Sequence, residues 1–183
     1  MTAVTTPETV AADGLLLRPV EVDDAPYYLE ALADPVLACF SPMPDVVTGG
    51  LPAARERCEL LSDWSEGTRA VWSITSGGAF AGSISLYHLD HEQRNGEIGY
   101  WVLPSFRRQK VASRALAAVT GFGLGRLELA RLVLYHAVEN RPSCLVAEGG
   151  GYRFEGVHRR SFRYGDGLLH DEHRHVRLAG DQR

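Results

Sequence analysis

Residues 95–116, NGEIGYWVLPSFRRQKVASRAL, decide the fold of this 183-residue chain. The apolar segment from Ile98 to Leu103 predicts a strand, which Pro104 ends. A basic turn, RRQK at 107–110, follows, and the Ala- and Leu-rich residues after it predict a helix. A helix that begins after a basic turn offers free backbone N–H groups and the positive end of its dipole to an anion. The stretch therefore predicts a site for a pyrophosphate-bearing, nucleotide-like cofactor.

Composition limits the class of protein. The chain is 45% hydrophobic and 23% charged, which is typical of one globular domain, and its net charge of −4 argues against nucleic acid as the main partner. Cys39, Cys58 and Cys144 are odd in number and have no CxxC spacing, so we expect reduced thiols. Neither a signal peptide nor an apolar run of about 18 residues is recognisable. These features predict a cytoplasmic protein with no membrane partner.

The remaining segments predict the order β-α-α-β-β-β-α-β-α-β-β. This order favours an α/β (α+β) fold, with a mixed, mostly antiparallel sheet of six or seven strands flanked by about four helices. Small and polar residues at the start predict a flexible arm over 1–13. We expect a single domain over 14–178 and a short C-terminal tail over 179–183.

Four short motifs and Asp171 give the chain a family resemblance: LLRP at 16–19, GEIGYWVLP at 96–104, NRPS at 140–143 and GYRFEG at 151–156. In order and spacing they resemble the GCN5-related N-acetyltransferase (GNAT) superfamily, and within it the branch that acetylates N-terminal amines of ribosomal proteins. The likeness covers about residues 15–178. It implies a splay between the fourth and fifth strands of the predicted sheet, with the acyl-pantetheine arm of acetyl-CoA lying in the gap.

The resemblance also implies which residues bind acetyl-CoA. Backbone groups near the end of the fourth strand pair with the pantetheine arm, the basic turn binds the pyrophosphate, and an asparagine bonds the strand end and the pantetheine. The residues so assigned are Val102, Leu103, Arg107, Arg108, Gln109, Lys110, Val111, Ala112 and Asn140.

One position in the basic turn departs from the family pattern. The central glycine of the pattern is Lys110 here, and Arg108 stands where a second glycine is common. A left-handed backbone at Lys110 would be strained by roughly 1 kcal/mol or more. Three interpretations remain open: acetyl-CoA binds with the Lys110 charge replacing backbone contacts, the donor is an acyl group on a carrier protein, or the domain binds without catalysing.

Two residues are candidates for the chemistry of amine acylation. Glu97 can take the proton of an ammonium, and the alternative is an exposed strand residue that pairs with a neighbouring base. Ser143 matches the serine proposed to face the sulfur in the ribosomal-protein branch, and the alternative is a serine that caps the first helical turn. The tyrosine acid common in GNAT enzymes is replaced by Ala147. No metal is expected, because His173 and His175 lack a recognisable third and fourth ligand.

These observations predict an N-acyltransferase that moves an acetyl group from acetyl-CoA to a primary amine by direct attack in a ternary complex. The acceptor is a protein or peptide N-terminus or a small-molecule amine, and the sequence does not choose between them. Asp45, Asp166 and Asp171 would suit a cationic acceptor, although loop carboxylates are usually only solvated. The alternatives are an acyltransferase with an acyl-carrier-protein donor and a catalytically silent GNAT-like module. The oligomeric state stays open.

Overall fold

Eight strands form one sheet in the structure, a computed structural model that describes residues 4–181. The strands are β1 (Val10–Ala12), β2 (Leu15–Pro19), β3 (Ala70–Ser76), β4 (Ala79–Asp90), β5 (Asn95–Val102), β6 (Arg131–Ala137), β7 (Arg153–Arg163) and β8 (Leu169–Leu178). The helices are α1 (Ala25–Ala33), α2 (Pro35–Phe40), α3 (Pro44–Ser62), α4 (Val111–Gly121) and α5 (Arg141–Gly149). No helix within the described range has the length and apolar character needed to cross a bilayer.

The sheet is interrupted at its centre. Its order is β1-β2-β3-β4-β5-β6-β8-β7, and every neighbouring pair is antiparallel except β5 and β6. These two strands are parallel and share three residue pairs, the last of which is Glu97 with Val133. Beyond Glu97 they diverge, so the predicted splay between the fourth and fifth strands is confirmed, with β5 and β6 as those strands.

Helices cover both faces of the sheet. On one face α4 packs over the larger apolar core, in which Trp64 and Trp72 meet edge to face with ring centroids 5.0 Å apart. On the other face α1, α2 and α3 enclose a second core. Six of the seven residues of β3 are buried, as expected for a strand covered on both sides. The predicted α/β class and the mostly antiparallel sheet are confirmed.

A buried ion pair joins β2 to the start of the first helical layer. Arg18 Nη2 lies 2.5 Å from Asp24 Oδ1, and the Ser73 hydroxyl donates to Asp24 Oδ2 at 2.6 Å. Burial alone would raise the pKa of the Asp24 carboxyl, but the hydrogen bonds from Arg18 and Ser73 outweigh it and lower that pKa. The carboxylate is therefore ionised in the folded protein at neutral pH.

Part of the segment 1–13, for which the sequence predicted a flexible arm, contacts the sheet. Val10–Ala12 pairs with β2, Val4 is buried, and the Trp72 indole N–H donates to the Glu8 carbonyl at 2.7 Å. Residues 1–3 of the predicted arm lie outside the described range. This short strand raises the count from the predicted six or seven strands to eight. At the other end Leu178 N donates to Asp181 Oδ2 at 3.0 Å, whereas 182–183 of the predicted tail are outside the described range.

Residues 4–181 contain five α-helices where about four were predicted, and the additional helix is α2. Pro35 and Pro44 occupy first-turn positions of α2 and α3, where a missing N–H costs nothing. The Asp34 carboxylate caps α2 by accepting from Leu37 N at 2.9 Å. Helix α3 is kinked at Gly50, which has φ 61°. The segment 41–50 is therefore largely helical.

Candidate active site

A cleft of about 620 Å³ opens where β5 and β6 diverge. Its walls come from β4, β5 and β6, from the helical layer of α1 and α3, and from the hairpin of β7 and β8. This volume lies within the usual range for ligand sites, roughly 300 to 1,000 Å³. Glu97, Asn140 and Ser143, which the sequence predicted as site residues, all line it.

The end of β5 offers backbone groups to this gap, but not at every predicted position. Leu103 N donates to the Ala81 carbonyl at 2.9 Å, and the Leu103 carbonyl accepts from Phe106 N at 3.0 Å. Both backbone groups of Leu103 thus already have a hydrogen-bond partner within the chain. Because alternate residues of a strand bond to opposite neighbours, the backbone groups of Val102 point away from β4 toward the gap.

The turn before α4 has an anion-binding geometry. Arg108 and Lys110 both have left-handed backbones, with φ 61° and φ 58°. The backbone N–H of Arg114 donates to the Lys110 carbonyl at 3.0 Å. By contrast, the backbone N–H groups of 108–113 have no acceptor within residues 4–181. Left-handed residues that expose successive N–H groups at a helix N-terminus form a concavity suited to phosphate. The strain anticipated for a left-handed Lys110 is therefore present.

Side chains in this turn have different tasks. The Arg107 guanidinium lies 2.5 Å from the Asp34 carboxylate, and this hydrogen bond lowers the pKa of Asp34. Arg107 therefore fixes the N-terminus of α2, so its side chain is not a free cation for a phosphate. The side chains of Arg108 and Lys110 are exposed to solvent, while Gln109 Nε2 donates to the Ser105 carbonyl at 2.8 Å.

The two remaining turn residues begin α4. Val111 is buried in the larger core and Ala112 packs against that core. Neither side chain therefore faces solvent freely, and each offers an anion only its backbone N–H.

Glu97 stands at the point where the two strands part. Its carboxylate accepts a 2.6 Å hydrogen bond from the Tyr87 hydroxyl and lies 3.2 Å from His88 Nδ1. Burial raises the pKa of Tyr87, and the Glu97 charge raises it further, so the phenol stays protonated as a donor. Glu97 therefore pairs with a neighbouring base, His88, as in the structural alternative considered for it, and also with a phenol. Its side chain still lines the cleft.

The start of α5 brings Asn140 and Ser143 to the opposite wall. Asn140 caps this helix, since its side-chain oxygen accepts from Ser143 N at 3.3 Å. The Ser143 side chain lies beside the Tyr100 hydroxyl, which is buried and has no well-formed hydrogen bond in the described part of the chain. Burial raises the pKa of Tyr100 to about 12. The phenol is therefore protonated near neutral pH and free to donate into the cleft.

Sequence reasoning missed Tyr100 and Glu172. Tyr100 lies inside the GEIGYWVLP motif, and its place in that motif was the available signal. Glu172 is 9% exposed, lines the cleft, and accepts from Ser161 Oγ at 2.7 Å and Tyr164 Oη at 2.9 Å. Its predicted neighbour Asp171 instead accepts from Arg160 N at 2.8 Å, because adjacent residues of a strand point to opposite faces.

The other two acidic residues considered for the acceptor are engaged elsewhere. Asp45 pairs with Arg57 at 2.8 Å, and Asp166 lies 2.8 Å from His170 Nε2. Neither carboxylate lines the cleft. Glu97 and Glu172 are therefore the carboxylates that face it.

The splayed β5 and β6, the turn with free backbone N–H groups and the cleft are the features that the resemblance to N-acetyltransferases implied. The chain belongs to the GNAT acetyltransferase family, whose acetyltransferase (GNAT) domain matches residues 14–153. The resemblance read from the sequence is confirmed.

Three relatives give the family match its detail. The chain is 32% identical over 116 residues to the Bacillus subtilis protein YdaF, provisionally named as a ribosomal N-acetyltransferase; the match covers 61% of this chain, which spans 63% of the length of YdaF. The structure of Mycobacterium smegmatis RimJ in complex with CoA-disulfide is 26% identical, with a TM-score of 0.84 over 94% of this chain and 87% of that one. A ribosomal L7/L12 α-N-protein acetyltransferase, RimL, in complex with coenzyme A has the same TM-score at 24% identity, over 95% and 100% of the two chains.

Proposed function

We propose that this protein transfers an acetyl group from acetyl-CoA to a primary amine by direct attack. The observations that carry the proposal are the gap beyond Glu97, which opens into a carboxylate-bearing cleft, and the free backbone N–H groups at the start of α4. The similarity to RimJ, whose structure holds CoA-disulfide, supports the choice of donor. We further propose a cytoplasmic location.

The donor is held along β5 and at the start of α4. Val102 offers its backbone groups to the pantetheine amides as a neighbouring strand would. The N–H groups of 108–113 bind the pyrophosphate, aided by the exposed charges of Arg108 and Lys110. Val111 and Ala112 contribute N–H groups to the same site. Asn140 fixes the start of α5 beside the thioester.

The chemical step needs two protons removed from the nitrogen and one supplied to the sulfur. The Glu97 carboxylate takes a proton from the acceptor ammonium, and Glu172 keeps the cleft attractive to that cation. The amine nitrogen attacks the thioester carbonyl carbon, an amide C–N bond forms and the C–S bond breaks. As the C–S bond breaks, the amide nitrogen loses its second proton to solvent. The CoA thiolate is stabilised by hydrogen bonds from the hydroxyls of Ser143 and Tyr100, and it takes up a proton from solvent.

The acceptor we favour is the N-terminus of a protein or peptide. YdaF is provisionally named for a ribosomal substrate and RimL for ribosomal protein L7/L12, which supports a protein acceptor here. Two cleft carboxylates, Glu97 and Glu172, fit an α-ammonium group. A small-molecule amine uses the same chemistry and is distinguished by the substrate screen. A carrier-protein donor is not favoured, since RimJ and RimL are both described with coenzyme A.

The first test is titration calorimetry with acetyl-CoA, followed by mass spectrometry of a peptide library after incubation with acetyl-CoA. We expect micromolar donor binding and a gain of one acetyl group on peptide N-termini. Glu97→Gln should lower kcat about 100-fold while leaving donor affinity unchanged. The matched control is Glu92→Gln, which changes an exposed turn residue and should keep full activity.

Two outcomes would contradict the proposal. Absence of acetyl-CoA binding would exclude free CoA donors and favour carrier-bound ones. Donor binding without acetylation of any amine, and with no effect of Glu97→Gln, would identify a silent binding module.

A further inference from the structure

Three histidines and one cysteine converge behind the wall of the cleft. They are His136 on β6, Cys144 on α5, and His173 and His175 on β8. One ligand-type atom from each residue lies within 4.8 Å of the others. The strand register explains why the three histidines are close together. His136 pairs with His173 across the β6–β8 ladder, and His175 lies two residues further along β8 on the same face.

Four of the six imidazole nitrogens of this cluster are buried without a hydrogen-bond partner among residues 4–181. His136 Nδ1 lies 2.8 Å from the Ala137 carbonyl, which places the proton on Nδ1 and leaves a lone pair on Nε2. These four are His136 Nε2, His173 Nδ1 and both nitrogens of His175, although a backbone group of Tyr152 lies near His175 without forming a well-aligned hydrogen bond. His136 is 4% exposed and His175 is 0% exposed. Buried polar atoms normally have partners, so this concentration points to a ligand that the nitrogens would bind.

The spacing of the rings fits a tetrahedral ion. With Zn–N bonds of about 2.0 Å, imidazole centroids around a tetrahedral centre lie about 5 Å apart. The His136 centroid is 5.1 Å from that of His175 and 5.3 Å from that of His173, and the third distance is 6.0 Å. The bond from His136 Nδ1 to a backbone carbonyl is also the outer contact that orients ligating imidazoles.

We propose that His136, Cys144, His173 and His175 bind a structural Zn²⁺ ion. Three imidazoles and one thiolate are a donor set that suits zinc, and four protein ligands make a closed site with no position for substrate. On binding, the Cys144 thiol releases its proton to solvent and its sulfur bonds the metal. The site therefore leaves unchanged the expectation that the transfer reaction itself needs no metal.

The site would hold α5 in place. Cys144 directly follows Ser143, and β6 and β8 carry the other three ligands. An ion at this point would fix the first turn of α5, and with it the Ser143 hydroxyl, against the sheet. Phe154 lies over the same rings, 4.9 Å from His173 and 5.7 Å from His175 between centroids, which makes a metal-free stack of aromatic rings the competing interpretation.

The test uses the full chain, stripped with a chelator and titrated with Zn²⁺ or Co²⁺. We expect one ion per chain, the visible bands of tetrahedral Co²⁺, a thiolate-to-cobalt charge-transfer band, and a higher Tm with zinc. Cys144→Ala should abolish the charge-transfer band and weaken zinc affinity by more than about 100-fold, beyond the loss typical of an outer-shell change. His173→Ala is a second variant at a half-buried ligand, should Cys144→Ala fail to fold.

Cys39→Ala is the matched control, because this half-buried cysteine is on α2 and outside the cluster. It should bind both ions as the parent does. Failure of the parent protein to bind either ion would overturn the proposal in favour of a metal-free stack. Equal affinity in the parent and Cys144→Ala, or equal loss in Cys39→Ala, would also overturn it. None of these binding measurements depends on acetyltransferase activity.

Discussion

Lys110 gives the sharpest test of how the phosphate-binding turn is built. Its backbone has φ 58° and ψ 17°, at the position where α4 begins. A residue with a Cβ is strained by about 1 to 2 kcal/mol in this left-handed conformation, and an exposed cation at a helix N-terminus is unfavourable by about 0.3 kcal/mol. Glycine removes both costs, although its greater freedom in the unfolded chain offsets part of the gain.

We therefore expect Lys110→Gly to raise the free energy of unfolding by about 1 kcal/mol. For a chain of this length, that gain corresponds to an increase in Tm of about 2 to 4 °C, measurable by differential scanning calorimetry. Lys110→Ala is the matched control, because it removes the same charge and keeps the Cβ. Its Tm should stay close to that of the parent. A glycine variant no more stable than the alanine variant would refute the strain argument.

Donor affinity in the same variants separates the two roles of Lys110. If the lysine only crowds the turn, Lys110→Gly should bind acetyl-CoA at least as tightly as the parent. If the ammonium contacts a phosphate, both variants should bind more weakly by about 1 to 3 kcal/mol, as expected for a charge-assisted hydrogen bond. Titration calorimetry decides between these outcomes.

Three further substitutions test the frame and the cleft. Asp24→Asn should lower the free energy of unfolding by about 2 to 3 kcal/mol at pH 7 in denaturant titrations. Because the folded-state pKa of Asp24 is lowered, its stabilisation is complete above its ordinary pKa of about 3.9 and is lost as pH falls through the lowered value. The difference in the free energy of unfolding between the parent and Asp24→Asn should therefore shrink below about pH 4, and a constant difference would contradict this account. Gly165→Ala would place a Cβ 1.8 Å from the Ala38 carbonyl oxygen and should destabilise by about 1 to 3 kcal/mol, whereas Gly125→Ala meets nothing within 4 Å; equal unfolding midpoints would refute the clash. Tyr100→Phe should lower kcat about 100-fold with little change in acetyl-CoA affinity, and an unchanged kcat in a steady-state assay would exclude the phenol as a donor to the thiolate.

Much of the fold was predictable because its signals are local. The apolar run of β5, the proline after it and the basic turn specify a strand, a loop and a helix start within 22 residues, and the structure has each of them. The strain at Lys110 followed from the same stretch. The three-residue strand β1 was not predictable, since it depends on pairing with β2 rather than on its own residues.

The parts that sequence could not supply depend on distant contacts or on register. Pro35 and Pro44 begin α2 and α3, because α1 and the sheet give those helices a face to pack on. Glu172 faces the cleft and Asp171 does not, a one-residue difference that only the β6–β8 register settles. The second pair of metal-ligand candidates, His136 and Cys144, is distant from His173 in sequence and meets it only through the fold.

The short contact between β5 and β6 has a thermodynamic consequence. The sheet consists of two blocks, β1–β5 and β6–β8, which are joined by three residue pairs between β5 and β6. The two strands pair from Asn95 to Glu97 and are unpaired with each other beyond it. A pantetheine arm lying in the gap would supply the missing connection and act as a substitute strand. Folding and donor binding are then linked equilibria, and the cohesion of the two blocks rises with the concentration of free acetyl-CoA.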